Sequence, residues 1–111
     1  MEDLFAVAGL APEALAGQTA LVTGAGRGIG REIARALAAL GARVVVAELN
    51  EAAGQETADL ITAAGGRALA LAVDVADAEA VAILIEQARA AFGPVEILIN
   101  NAILCPAVAV A

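Results

Sequence analysis

The residues best suited to chemistry in this chain form a run of alternate glycines, Thr23-Gly24-Ala25-Gly26-Arg27-Gly28-Ile29-Gly30. The chemistry they suit is the holding of a phosphate group. Gly24 lets the backbone leave a strand in a tight turn, where a positive φ is needed. Gly28 removes a Cβ where a pyrophosphate must approach the main chain, and Gly30 lets a following helix pack against the strand. That helix would aim unpaired N–H groups and the positive end of its dipole at the anion, worth roughly 0.3–2 kcal/mol per charged group. The common G-x-G-x-x-G spacing fits at neither register: from Gly24 it puts Ile29 in the last glycine position, and from Gly26 it puts Arg31 there. The nucleoside-triphosphate loop pattern fails as well, because it needs a Lys and the chain has none. The spacing that fits is T-G-x-x-x-G-I-G. A glycine-rich turn that binds nothing is the alternative; the strand expected before it and the helix expected after it favour phosphate.

Glu48 lies at the end of the second expected strand. A carboxylate there can accept hydrogen bonds from ribose hydroxyls. It would also repel a 2′-phosphate by on the order of 1–4 kcal/mol at contact distance. Alone, Glu48 would read as an ordinary solvated carboxylate. Paired with the glycine turn, ribose binding is the better reading.

The composition narrows what such a site could do. The 111 residues include no Ser, Tyr, Lys or His, so the common nucleophiles and neutral-pH bases are missing. Carboxylates, Thr hydroxyls and Cys105 remain. A single cysteine allows no intrachain disulfide, and without His no zinc or iron site built on those ligands is expected. The net charge is −7 and the six basic residues, all Arg, are scattered, so the basic stripe of a nucleic-acid binder is absent. Apolar runs such as residues 44–47 and 81–85 stop far short of the ~20 residues of a spanning helix. The start, Met1-Glu2-Asp3, is acidic where a secretory signal would be basic. A cytoplasmic protein with neither a nucleic-acid nor a membrane partner is expected.

Alternating strands and helices must position these residues. Residues 19–23, 42–47, 68–73 and 95–99 are short apolar runs of strand character, each bounded by breakers. Between them Ile29, Ile33, Leu37 and Leu40 recur at helical spacing, with Arg31, Glu32 and Arg35 on the other face. A second stripe holds Ala53, Thr57, Leu60, Ile61 and Ala64, and a third holds Val81, Leu84, Ile85, Ala88 and Phe92. Asn50 and Asp77 are the expected N-caps, while Gly41, Gly65-Gly66 and Gly93-Pro94 end the helices. Continuous apolar strands between amphipathic helices predict an α/β fold, a Rossmann-like doubly wound parallel sheet.

Three motifs in order extend this reading: the T-G-x-x-x-G-I-G turn, Asp74-Val75 after the third strand, and Asn100-Asn101-Ala102 after the fourth. On them the chain closely resembles the short-chain dehydrogenase/reductase family, from about Gly17 to Ala102. The resemblance implies an NAD(P)-linked oxidoreductase that moves hydride between nicotinamide and an alcohol or carbonyl carbon. It implies that Asp74 and Val75 contact adenine, and that Gly24, Arg27, Gly28, Ile29, Gly30, Glu48 and Asn101 complete the cofactor site. A lone Asp74 or Asn101 would more often be a helix cap or turn residue; their place after successive strand ends reverses that preference. The family's Tyr, Lys and Ser cannot be placed on this sequence, and neither Asn100 nor Asn101 takes the role of its proton-relay Asn. No catalytic residue and no metal ligand is assigned. NAD is expected over NADP, because Leu49 after Glu48 is uncharged; Arg27 argues the other way.

The resemblance ends at Ile103, where the family has glycine. The expected organisation is an N-terminal extension over 1–18, a βαβαβαβ cofactor-binding segment over 19–102, and a divergent apolar tail over 103–111. A frameshift or early stop in a longer gene would produce such a break. The family's strand order, 3-2-1-4 with later strands beyond, would leave a sheet truncated after the fourth strand with an apolar edge, so self-association is expected. A small alcohol or carbonyl substrate is expected only for a full-length form. A non-catalytic nucleotide-binding or regulatory module pairing with full-length relatives is the competing reading, and a fragment that does not fold stably is a third.

Overall fold

A computed structural model of the chain describes residues 11–102. Four apolar runs form β1 (Thr19–Thr23), β2 (Arg43–Glu48), β3 (Arg67–Ala72) and β4 (Ile97–Asn100). Three helices alternate with them: α1 (Gly28–Ala39), α2 (Glu51–Ala63) and α3 (Ala78–Phe92). All strands run parallel in one sheet of order β3-β2-β1-β4. Val22 lies between Val46 and Ile99, and Thr23 between Ala47 and Asn100. The two central strands are buried on both faces, which is why β1 and β2 read as unbroken apolar runs.

Crossover handedness assigns the helices to faces. The chain steps from β1 to β2 to β3 in one direction, so right-handed connections put α1 and α2 on the same face. The return from β3 past β1 to β4 runs the other way and puts α3 on the opposite face. The first face holds Ala20, Val22, Val44 and Val46 with Ala34 of α1 and Ile61 of α2. The second holds Leu21, Val45 and Ala47 with Leu84 and Ala88 of α3. The sheet is therefore doubly wound and Rossmann-like, as expected.

Helix ends follow local chemistry. Asn50 accepts from the Ala53 N–H at 3.0 Å, and Asp77 accepts from the Glu79 and Ala80 N–H groups at 3.0 and 3.2 Å. Before β1, Leu15 packs on the first core and its N–H donates to the Leu40 carbonyl at 2.8 Å. Residues 1–10 of the expected 1–18 extension, and the 103–111 tail, lie outside the described residues, while residues 12–17 form turns.

Two expectations need correction. Strand bounds shift: β2 loses Ala42 and gains Glu48, β3 runs Arg67–Ala72, and β4 begins at Ile97. Val73 and Val95 fall outside the strands yet pack into the second core, because burial there does not require a ladder position. The apolar stripes are also narrower than periodicity suggested. Ile29 is 74% exposed because it sits in the first turn of α1, beyond the sheet. Leu60, Ala64 and Ile85 are exposed as well. Leu60 and Ile85 each lie one residue, about 100° of helix, from the buried Ile61 and Leu84.

Candidate functional site

Parallel strands bring all their C-terminal ends to one edge. The turn after β1, Glu48 at the end of β2, Asp74 after β3 and Asn101 after β4 therefore line the same edge. The strand order reverses between β1 and β4: the helix that follows β1 packs on one face and the helix that leads into β4 packs on the other, and in open α/β sheets a crevice forms at such a reversal.

The glycine turn is built against the end of β4. The Gly24 N–H donates to the Ala47 carbonyl at 2.8 Å, and the Gly24 carbonyl accepts from the Asn101 side-chain amide at 3.2 Å. Thr23 adds a second tie: its hydroxyl donates to Asn100 Oδ1 at 3.1 Å and accepts from the Ala102 N–H at 3.0 Å. Gly30 is buried here, and a Cβ on it would collide with the Gly24 carbonyl and the Asn101 amide. Gly28 is its opposite: at φ +60° it opens α1, and nothing lies within 4 Å of where its Cβ would stand.

The start of α1 is left open. Arg27, in the N-cap position, is extended and exposed and makes no capping bond, and the first turn holds no acidic residue. Gly28 and Ile29 are exposed beside it. The leading N–H groups of this helix thus have no side-chain acceptor, which is the arrangement that accepts an anion.

Glu48 is half-buried, with Oε1 accepting from the Gly26 N–H at 2.9 Å and Oε2 from the Asn50 N–H at 3.0 Å. Each carboxylate oxygen has a second lone pair, so acceptor capacity remains. Asp74 is exposed, and its Oδ1 accepts from the Ala76 N–H at 2.9 Å. Val75 is half-buried against the second core. The sequence-derived residues thus occupy one edge, with Glu48, Gly24 and Asn101 joined by hydrogen bonds through the turn and Asp74 and Val75 beside them on the next loop.

Two residues escaped the sequence reading. Arg31, expected on the solvent face, turns its guanidinium back to the Gly26 carbonyl, while its Nε–H donates to Thr57 Oγ1 at 2.9 Å. Thr57 is fully buried and its hydroxyl donates to the Ala25 carbonyl at 2.8 Å. The available signal was a hydroxyl inside an otherwise apolar stripe.

The described residues also contain an open cleft of about 680 Å³ at the opposite edge, by the ends of α1 and α2, lined among others by Arg35, Gly41 and Ile61. It shares no lining residue with the glycine turn, and its charged groups are Glu13, Arg35 and Arg67. Among the described residues no group of three His, Cys, Asp or Glu could hold a metal ion, and no helix is long and apolar enough to cross a membrane.

Known proteins share this sequence pattern and fold. The short chain dehydrogenase family model matches residues 18–110. A short chain dehydrogenase/reductase from Aspergillus oryzae is 50% identical over 93 residues, which are 83% of this chain and 36% of that protein. The citronellol catabolism dehydrogenase of Pseudomonas aeruginosa superposes with a TM-score of 0.83 at 38% identity, over 92% of this chain and 43% of its own. A metagenomic short-chain oxidoreductase solved in complex with NADP gives 0.76 at 44% identity, over 79% of this chain and 40% of its own. The chain thus spans little more than a third of the Aspergillus protein's length. Sequence, strand order and glycine turn converge, and the chain belongs to the short chain dehydrogenase family, whose fold binds a nicotinamide dinucleotide.

Proposed function

We propose that residues 19–102 are the cofactor-binding part of a nicotinamide-dinucleotide-dependent oxidoreductase, and that this chain supplies binding rather than proton transfer. The observation that carries this reading is the uncapped start of α1 at Gly28, an open cradle beside a tightly packed Gly30. A Cβ at Gly28 would occupy the free space, and the exposed helix start offers N–H groups to an anion.

The N–H groups around Arg27, Gly28, Ile29 and Gly30 would hold the pyrophosphate. Glu48 would accept from the adenosine ribose with its remaining lone pairs, and Asp74 and Val75 would flank the adenine. Asn101 would hold the turn in place through the Gly24 carbonyl. When bound, the nicotinamide supplies hydride exchange with an alcohol or carbonyl carbon. No catalytic residue is assigned to this chain, which has no Ser, Tyr, Lys or His to hold or move the proton.

Within this reading the cofactor is NAD rather than NADP, because a 2′-phosphate would meet the Glu48 carboxylate and find no basic group at Leu49. Arg27 opposes this, being exposed and making no ion pair among the described residues. Titrating both cofactors into the 111-residue chain tests the choice: NAD should bind more tightly, and Glu48→Ala should narrow the difference. Tighter binding of NADP by the unaltered chain would overturn it.

Self-association belongs to the same proposal. Among the described residues β4 is an edge strand, and Leu98 is 62% exposed although its register partner Leu21 is buried. Light scattering on a size-exclusion column at micromolar concentration should find oligomers. A sharp monomer peak with a cooperative melt would favour the competing reading, an independent nucleotide-binding module.

A further inference from the structure

We propose that α2 sets the shape of the phosphate-binding turn through Thr57 and Arg31, so that Thr57 is a positioning residue for dinucleotide affinity although it is fully buried and lies outside the turn itself. The proposal rests on the dinucleotide reading above and adds a determinant that the glycine spacing does not contain.

Two successive peptide groups of the turn are pinned. The Ala25–Gly26 peptide is held at both ends: its carbonyl accepts from the Thr57 hydroxyl at 2.8 Å, and its N–H donates to Glu48 Oε1 at 2.9 Å. The next peptide, Gly26–Arg27, is held at its carbonyl by the Arg31 guanidinium. The chain has no cis peptide among the described residues, so the Arg27 N–H points opposite to that carbonyl, away from Arg31. Fixing the Gly26 carbonyl therefore aims the Arg27 N–H.

The guanidinium is itself fixed by one face of α2. Its Nε–H donates to Thr57 Oγ1 at 2.9 Å, and its terminal nitrogens reach Glu56 Oε1 at 3.3 Å and the Ala53 carbonyl at 3.5 Å. Positions 53, 56 and 57 are spaced by three and four and share one side of the helix. A planar fork held at several points cannot rotate without losing them together. The exposed Arg35–Glu32 pair on α1 has no such enclosure and contributes little.

Such a clamp is needed because glycines alternate through this turn. A backbone with little steric preference has several conformations of similar energy, and an outside restraint must select one. Thr57 is suited to that task. Its single hydroxyl donates once, to Ala25, and accepts from Arg31, so one buried oxygen couples the first peptide to the group that fixes the second. Without the hydroxyl, Arg31 Nε loses a partner, and the buried Ala25 carbonyl loses one where water does not reach.

The test uses the 111-residue chain with Thr57→Val, which keeps the volume and removes the hydroxyl, and Thr57→Ser, which keeps the hydroxyl. NAD affinity should fall about tenfold in T57V, equivalent to the loss of one well-placed hydrogen bond, and stay near the unaltered value in T57S. Affinity for adenosine, which carries ribose but no phosphate, should be the same in all three. In the chain without cofactor, amide exchange at Gly26, whose N–H the turn holds on Glu48, should quicken in T57V and not in T57S. Unchanged exchange in T57V, or equal loss of NAD affinity in both variants, overturns the clamp. If the unaltered chain binds no dinucleotide while the exchange response is as expected, the dinucleotide reading fails, and with it the role in affinity, while the clamp on the turn stands.

Discussion

Helices α2 and α3 begin on side chains that close them, whereas α1 begins on residues that leave it open. Asn50 satisfies one leading N–H of α2, and Asp77 satisfies two of α3. Arg27, in the equivalent position of α1, satisfies none. A missing cap costs about 0.5–2 kcal/mol, so α1 starts at a disadvantage its two neighbours avoid. All three starts lie at the same edge of the sheet, and the same chain that supplies caps twice withholds one where its glycines cluster. The difference separates a terminus built for stability from one built to receive an anion.

The severest way to break the comparison is to separate the packing of the α1 start from its openness. Gly30→Ala places a methyl against the Gly24 carbonyl and the Asn101 amide. It should cost about 3 kcal/mol, seen as a large drop in melting temperature, with dinucleotide binding lost. A melt close to the unaltered chain would mean that the turn and α1 can separate freely.

A second substitution closes the open helix. Arg27→Asp puts a capping carboxylate on an extended residue of the right backbone shape. The chain without cofactor should gain about 1 kcal/mol in denaturant unfolding, and dinucleotide affinity should fall at least about tenfold, since the cap competes for the same N–H groups. Stability and affinity rising together would contradict the contrast between the helix starts.

The mildest changes are on the other side. Asp77→Ala should lower stability by about 1 kcal/mol and leave dinucleotide affinity as it was. Asn50→Ala should cost about half of that, because Asn50 caps one N–H where Asp77 caps two. Denaturant titrations of the two variants give the order directly.

Much of this was legible in the residues. The four strands read as apolar runs between breakers, and the two central ones, β1 and β2, read as unbroken runs because both of their faces are covered. Asn50, Asp77 and the glycine turn were legible because a cap or a turn depends on residues within one helical turn of each other. Strand ends were not, since a ladder stops where its neighbour stops. Nor was the exposure of Ile29, whose spacing suits a core but whose place in α1 lies past the sheet.

What the sequence alone determined about this protein is therefore its local and periodic content: the elements, their order, two capped helix starts and one uncapped one. The tertiary structure alone decided which distant groups meet. Right-handed crossovers lay α1 and α2 side by side, and only then can Arg31 reach Thr57, twenty-six residues on, and Thr57 reach Ala25, thirty-two residues back. Parallel pairing brings the end of β2 beside the turn after β1, which lets Glu48 grip Gly26. Spacing along the chain carries no trace of such contacts, because they depend on the packing of whole elements rather than on the residues between them.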